Sequence, residues 1–375
     1  MTDKSEVAEW NFSRLIKNEN DNFSKIEILK ILSNEEMEEA YKVISKWDNY
    51  SPTPILNLNK LSQKLKLNKI FYKDESKRFK LKSFKALGGA YAVEKVAKKN
   101  KKIVISTATA GNHGRSVAWG SKKLGVNCKI FISEFVSEYR AKIMRSFGAD
   151  VIRVKGNYEN SLNECIKQSN QNNWQIVQDV AWEDYKLVPR LTMAGYSIMM
   201  KEISDQINEH EISHIILQAG VGGMAAAMIA GIAKYLNYVP QIIIVEPDNA
   251  ACVLESIKSG KIEKIFIKKE SIMGGMSCGE PSLVPWQILK NSTSYCVTVS
   301  DDYVSKTVKY LANCSFGNDK IIGGECSTPG VISLIGMSND KKERKKLNLN
   351  EDSKVLLFGC EGDADEELYQ KLLIE

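Results

Sequence analysis

The hydrophobic positions of this chain alternate between two rhythms. Short runs rich in Ile, Val and Leu are followed by longer stretches whose apolar residues recur every three or four positions. KIFYKDE (69–75) precedes SFKALGGAYAVEKVAKK (83–99), and KIVIS (102–106) precedes GRSVAWGSKKLG (114–125). CKIFIS (128–133), DVIRVKG (150–156) and WQIVQD (174–179) lead into helical patterns over 137–149, 158–171 and about 186–209. HIILQAG (214–220), QIIIVEP (241–247) and VLLFGCEG (355–362) complete the set. Strands this apolar have both faces covered, and a helix after each is the pattern of parallel sheets in an α/β fold. No repeat of fixed period is visible. The units between about 95 and 200 predict a compact four-strand domain. That domain (95–200) is inserted in a larger one made of 1–94 and 201–375. Each is expected to be a three-layer parallel-sheet unit. Clefts at strand carboxyl ends, between such domains, are the usual ligand sites.

Composition narrows the function classes. The 375 residues are 43% apolar and 26% charged, as in an ordinary soluble protein. A net charge of +6 calls for no nucleic-acid partner. The basic clusters KKNKK (98–102) and KKERKK (341–346) read as solvated loops or helix ends. Eight cysteines without a CxxC pair argue against a zinc ribbon or a disulfide framework. Whether Cys252 and Cys278 meet across two loops is not legible. The first residues, MTDKSEVAEWNFSRLIKNEND, lack an apolar core segment and read as a polar tail, which makes the cytoplasm the default compartment. The uncharged stretch 215–233 is long enough to span a bilayer. Its Gly220, Gly222 and Gly223 instead mark a strand, a glycine loop and a buried helix, so no membrane association is expected. HEISH (210–214) matches H-E-x-x-H literally. His210 falls near a helix end and His214 opens a strand, so the pair would face apart and no metal site is expected.

Three stretches carry candidate chemistry. QAGVGGMAAA (218–227) is a strand–loop–helix junction, where glycines let the backbone approach an anion and a helix start offers free N–H groups. Its spacing is neither a Walker loop nor a dinucleotide fingerprint, and it fits a single phosphate group better. In YKDESKRFKLKSFKALGGAYA (72–92), Lys85 lies among Phe84, Ala86 and Leu87, with Gly88 and Gly89 leaving room for a flat ligand. A lysine desolvated there has a lowered pKa and can form a Schiff base. STATAGNHGRSVAWG (106–120) is a second strand-to-helix anion loop, with Thr109, Gly111 and Asn112 before the helix start. Asp179, in QDVAWEDY, is placed to act as a general base or to bind an ammonium; the plain alternative is a helix cap. A Schiff-base lysine together with a single-phosphate loop points to pyridoxal phosphate.

KDES…SFKALGGAYA, GNHGRSVAW, QAGVGG, VEPD, CGEPS and CEGDAD occur in that order along the chain. Together they resemble the diaminopropionate ammonia-lyase family, within the tryptophan-synthase-β-like (fold type II) pyridoxal enzymes, over roughly residues 40–370. The resemblance implies that the cofactor is pyridoxal 5'-phosphate, lying in the interdomain cleft. It implies that Lys85 holds the cofactor covalently. Gly220, Gly222 and Gly223 with Met224 form the phosphate cup, and Asn112 bonds the phenolic oxygen. Cys360 stands where the family usually has a threonine beside the pyridine nitrogen. Asp179 matches the acid that takes the Cα proton of the L-substrate, with Lys85 as the competing base. Thr109, Gly111 and His113 belong to the loop that seats the substrate carboxylate. Ala110 departs from the pattern: the family has an aspartate there that serves the D-isomer, and alanine cannot move a proton. The implied activity is elimination of ammonia from 2,3-diaminopropionate, the L-isomer above all, giving pyruvate and ammonia. The alternatives are an L-serine or L-threonine dehydratase and a non-catalytic amino-acid-binding protein. A small amino acid is the expected partner, and a homodimer the expected assembly.

Overall fold

The computed structural model describes residues 7–98, 100, 102–109, 111–208 and 212–375. Eleven strands fall into two sheets among the described residues. The larger holds seven: β1 (Arg14–Lys17), β2 (Ile55–Asn57), β3 (Lys69–Asp74), β8 (His214–Gln218), β9 (Gln241–Pro247), β10 (Tyr295–Val299) and β11 (Lys354–Gly359). Their order is β1-β10-β9-β8-β11-β3-β2. The smaller sheet takes β4 (Val104–Ala108), β5 (Asn127–Ser133), β6 (Asp150–Val154) and β7 (Gln175–Ile176), in the order β6-β5-β4-β7.

The fold class is as the hydrophobic rhythm predicts. Every residue of β8 is buried, as a strand covered on both faces requires. The small sheet is parallel throughout. The large sheet is parallel in its middle but edged by antiparallel strands, β1 on β10 and β2 on β3. Both edge strands are short and partly exposed, which is how their alternation escapes notice in the sequence.

Several local expectations change. The amino-terminal stretch is no simple tail: it supplies β1, and Trp10 is buried against Tyr303, Tyr310 and Phe316. The helical pattern over 186–209 divides at Ser197 into Leu187–Tyr196 and Ile198–Gln206. The apolar stretch 215–233 forms β8, a glycine loop and part of the helix Gly223–Tyr235, and no described helix is long and apolar enough to cross a membrane. His210 lies outside the described residues. His214 opens β8, and both its ring nitrogens are engaged, with Ser213 Oγ at 2.8 Å and the Leu347 carbonyl at 2.8 Å.

The helix Lys85–Ala97 is the hinge of the arrangement. It packs on the helix Asn112–Leu124 below and on Leu187–Tyr196 beside it. Glycines make these approaches close: a Cβ on Gly120 would sit 2.7 Å from the Ala90 Cα, and one on Gly195 2.5 Å from the Leu87 carbonyl oxygen. Three helices thus meet where Lys85 begins its own.

Candidate active site

Lys85 opens its helix directly after Ser83 and Phe84. Its Nζ donates to Asp179 Oδ2 at 2.5 Å. Asp179 follows β7 of the small sheet, so the pair joins groups 94 residues apart. The lysine side chain keeps 23% of its surface exposed and the aspartate 11%. Burial works against the Lys85 ammonium, but the Asp179 charge outweighs it and holds the amine above its ordinary value. Burial likewise works to raise the Asp179 carboxyl. The charges beside it outweigh that and hold it below the usual carboxylate range. The expectation of a lowered Lys85 pKa is therefore reversed, because an acid lies within hydrogen-bond distance. The contact thus holds Lys85 as an ammonium and Asp179 as a carboxylate, and the amine becomes a nucleophile when an ammonium proton leaves the pair for solvent.

The two anion loops differ in how their helix starts are used. Thr109 Oγ1 accepts the Gly111 N–H at 3.0 Å and the Gly114 N–H at 3.2 Å, so the loop supports itself. Among the described residues neither the Asn112 nor the His113 N–H has a backbone acceptor. The Asn112 side chain donates to Glu361 Oε2. An amide carries two N–H bonds, so one stays available toward the cleft. Ala110 lies outside the described residues. His113 is buried, its Nε2 is 2.9 Å from the Val177 carbonyl, and its Nδ1 is 3.6 Å from Asp179 Oδ2.

The second loop ends at Gly222, whose φ of +94° suits glycine and which caps the helix Gly223–Tyr235 without any side-chain hydrogen bond. The first backbone bond into this helix is Ala226 N–H to the Gly222 carbonyl. The N–H groups of Gly223, Met224 and Ala225 come before it, and no backbone acceptor takes them among the described residues. Gly220 is packed closely: a Cβ there would be 3.0 Å from both Cys278 Sγ and the Gly275 carbonyl oxygen. An uncapped helix start beside a cleft lysine is what a phosphate-bearing aldehyde cofactor needs, and the residues present fit pyridoxal phosphate.

Cys360 ends the strand-to-loop turn after β11. Its thiol donates to the Cys326 carbonyl at 3.0 Å, and burial, with the Glu361 charge, pushes its pKa well up. It stays a neutral thiol. Cys252 and Cys278 are both free thiols. Burial raises the Cys278 thiol to about 12.

Sequence reasoning missed the support of the Gly111–Asn112 loop. Glu325, Cys326 and Glu361 cluster, all buried. Arg140, from the helix Glu138–Ser146, bonds Asp365 at 2.8 Å and approaches Glu325 at 3.4 Å. It also lies over Gly111, whose missing Cβ would be 3.2 Å from Arg140 Nη1. Glu361 sits inside the quoted CEGDAD segment, yet nothing in its spacing points 249 residues back to Asn112. Tyr196 was also missed: its hydroxyl is buried without a partner, and its ring centroid lies 5.8 Å from Lys85 Nζ.

Known proteins bear on this geometry. Residues 46–360 match the family model described as pyridoxal-phosphate dependent enzyme. The diaminopropionate ammonia-lyase of Escherichia coli (strain K12) is 33% identical, covering 97% of this chain and 98% of that one. The crystal structure of the Escherichia coli enzyme with an aminoacrylate–PLP azomethine reaction intermediate superposes with a TM-score of 0.88 at 31% identity, covering 97% of both chains. The same enzyme in complex with D-serine also gives 0.88, at 30% identity over 97% of both.

Proposed function

The chain belongs to the pyridoxal-phosphate dependent enzyme family, and from this premise we propose that it eliminates ammonia from 2,3-diaminopropionate, giving pyruvate and ammonia. The observation that carries the reading is the Lys85–Asp179 pair, together with the uncapped start of the helix Gly223–Tyr235. When bound, pyridoxal phosphate supplies a sink for the electron pair of the breaking Cα–H bond.

The chain's own residues divide the remaining work. Gly220, Gly222, Gly223 and Met224 form the cup, in which backbone N–H groups hold the phosphate with help from the helix dipole. Lys85 would hold the cofactor's aldehyde carbon, its ammonium protons leaving to solvent, so that Asp179 stays ionised. Asn112, steadied by Glu361, turns its second amide proton toward the ring, and Cys360 faces the ring as a neutral group. The loop of Thr109, Gly111 and His113 seats the substrate carboxylate through the backbone N–H groups of Asn112 and His113, free among the described residues, so the His113 imidazole takes no part in that contact. Asp179, relieved of its ammonium partner, takes the Cα proton; Lys85, once released, is the competing base. The L-isomer is the proposed substrate. Asp179 offers an acid to one face, whereas position 110, an acid in the resembled family, is alanine here. The reading includes a homodimer in the cytoplasm, with 95–200 as an inserted small domain, as the resemblance implies.

The test is keto-acid release by the pyridoxal-phosphate-loaded protein from L- and D-diaminopropionate, L-serine and L-threonine. Pyruvate from L-diaminopropionate, exceeding that from L-serine, is the expected result. Preferred release from L-serine or L-threonine makes the protein a dehydratase. Amino-acid binding without any keto acid makes it a non-catalytic relative. Strong turnover of D-diaminopropionate overturns the stereochemical argument.

A further inference from the structure

His113 starts the helix Asn112–Leu124 and is buried. Its Nε2 lies 2.9 Å from the Val177 carbonyl oxygen. A carbonyl only accepts, so Nε2 carries the proton. A neutral imidazole has one N–H, so Nδ1 holds a bare lone pair. Burial lowers the His113 pKa, and the Asp179 charge pulls it back only in part, so the ring is neutral near pH 7. That lone pair is buried without a partner and points at Asp179 Oδ2, 3.6 Å away. The separation is beyond a hydrogen bond, as two facing acceptors require. Only a proton on one of them closes it.

We propose that His113 is a positioning residue that receives a hydrogen bond from Asp179 as soon as Asp179 has taken the substrate's Cα proton. The inference rests on the elimination reading above. At rest Lys85 holds Oδ2; with Lys85 engaged by the cofactor, Oδ2 loses its cation. The Cα–H bond then breaks, its electron pair stays with the substrate, and the proton binds Oδ2. Asp179 passes from charge −1 to neutral and donates O–H to Nδ1, while the imidazole keeps its own single proton throughout. After product leaves, the proton goes to water. A hydrogen bond offered to the neutral carboxyl alone makes Asp179 a stronger base. Two titratable groups face Nδ1: Asp179 after β7 and Lys85 at the head of its helix. Val177 contributes only its carbonyl.

Two measurements test this. The chain has three histidines, so ¹⁵N-histidine NMR of the cofactor-loaded protein, assigned with His113→Gln, reads the His113 tautomer directly. Protonated Nε2 and bare Nδ1 at pH 7 are expected; the opposite tautomer or an imidazolium overturns the proposal. The second compares His113→Phe with His113→Gln. Gln keeps an N–H for Val177 and an oxygen for Asp179, whereas Phe keeps only bulk. Phe should lower kcat for pyruvate release about 10- to 100-fold with little change in KM. It should also move the acid limb of kcat to lower pH, because Asp179 becomes the weaker base. Gln should restore most of both. Equal loss in both variants, or an unmoved acid limb, leaves His113 a packing residue and sinks the idea. If the wild-type protein releases no pyruvate from diaminopropionate, the elimination reading fails, and the NMR arm still decides the tautomer.

Discussion

Lys73 and Lys85 belong to one continuous stretch of chain, and both form ion pairs away from bulk water, but their surroundings are opposite in kind. Lys73, on β3, is wholly buried and spends all three ammonium protons, on Glu202 at 2.7 Å, the Thr53 carbonyl at 2.8 Å and Gln206 at 3.0 Å. Arg78 completes that group. It grips Glu75 with two parallel bonds of 2.8 Å and reaches Glu202 at 2.8 and 2.7 Å. Tyr50 and Thr53 fill the carboxylate positions that remain. Two cations meet two anions, and nothing is left over. Around Lys85 much is left over: ammonium protons beyond the one given to Asp179, the His113 Nδ1 lone pair and the Tyr196 hydroxyl. A buried polar group without a partner is costly, and around Lys85 a bound cofactor and substrate would supply the missing partners. The saturated network fixes the strand that leads toward Lys85; the unsaturated one is the proposed site.

The largest effect expected from this contrast is on catalysis. Lys85→Ala should lower pyruvate release by about 10³-fold or more, since it removes the group proposed to hold the cofactor and the hydrogen-bond donor to Asp179. Its unfolding midpoint in urea should move less than that of any Lys73 or Arg78 variant. A Lys85→Ala protein that keeps a tenth of wild-type activity, or that unfolds far more readily, would erase the distinction. The converse experiment is Glu202→Gln. Removing one anion leaves the Lys73 and Arg78 charges buried with a single carboxylate between them, which should cost about 3–5 kcal/mol in urea unfolding. Activity per folded molecule should be unchanged. A cost below about 1 kcal/mol would mean that the network is not what stabilises β3.

That contrast was only partly legible in the sequence. Five lysines lie between 73 and 85, and their spacing alone does not say which is saturated. Lys85 stood out because its neighbours are apolar or small, a local property. Lys73 and Arg78 look like an ordinary solvated charge run, because the carboxylate that buries them is Glu202, 129 residues from Lys73. The same limit hid Glu361 behind Asn112 and Arg140 over Gly111. Strands buried on both faces announce themselves by composition, as β8 and β9 do. Edge strands such as β1 and β2, with one side in water, do not. Local apolar pattern gives fold and loop; long-range charge pairing has no pattern to read.

A middle-sized effect tests the support of Asn112. Glu361 holds the Asn112 amide and also accepts the Cys326 N–H at 3.0 Å. Glu361→Gln turns one acceptor into a donor and frees Asn112 to rotate. The dissociation constant for pyridoxal phosphate, read by absorbance titration, should rise about 10-fold. An unchanged constant would show that Asn112 needs no such support.

The smallest effect concerns an acid that belongs to neither group. Glu246, on β9, is fully buried. Its two oxygens accept the Val253 N–H at 2.8 Å and the Leu254 N–H at 2.7 Å, at the start of the helix Cys252–Ser259. No cation is hydrogen-bonded to it among the described residues. Burial, the larger influence, pushes its carboxyl up to about 8 against the lowering effect of those two bonds. The unfolded chain releases the same proton near the ordinary value of about 4.3. The folded state therefore binds more protons between those values. Its stability is full below about pH 4 and declines as pH rises through about 8. Glu202, with two cations beside it, moves the other way: burial works to raise it, but the cations outweigh this and hold it below the usual range. Glu246→Gln should be less stable than wild type at pH 6, because one N–H loses its acceptor. The gap should narrow steadily up to about pH 8 and then level off, since above it wild type carries a buried charge and the variant does not. Urea unfolding midpoints of both proteins across that range read the slope directly. A gap that stays constant would show that Glu246 is ionised throughout, and that two backbone N–H groups can do for a buried carboxylate what Lys73 and Arg78 do for Glu202.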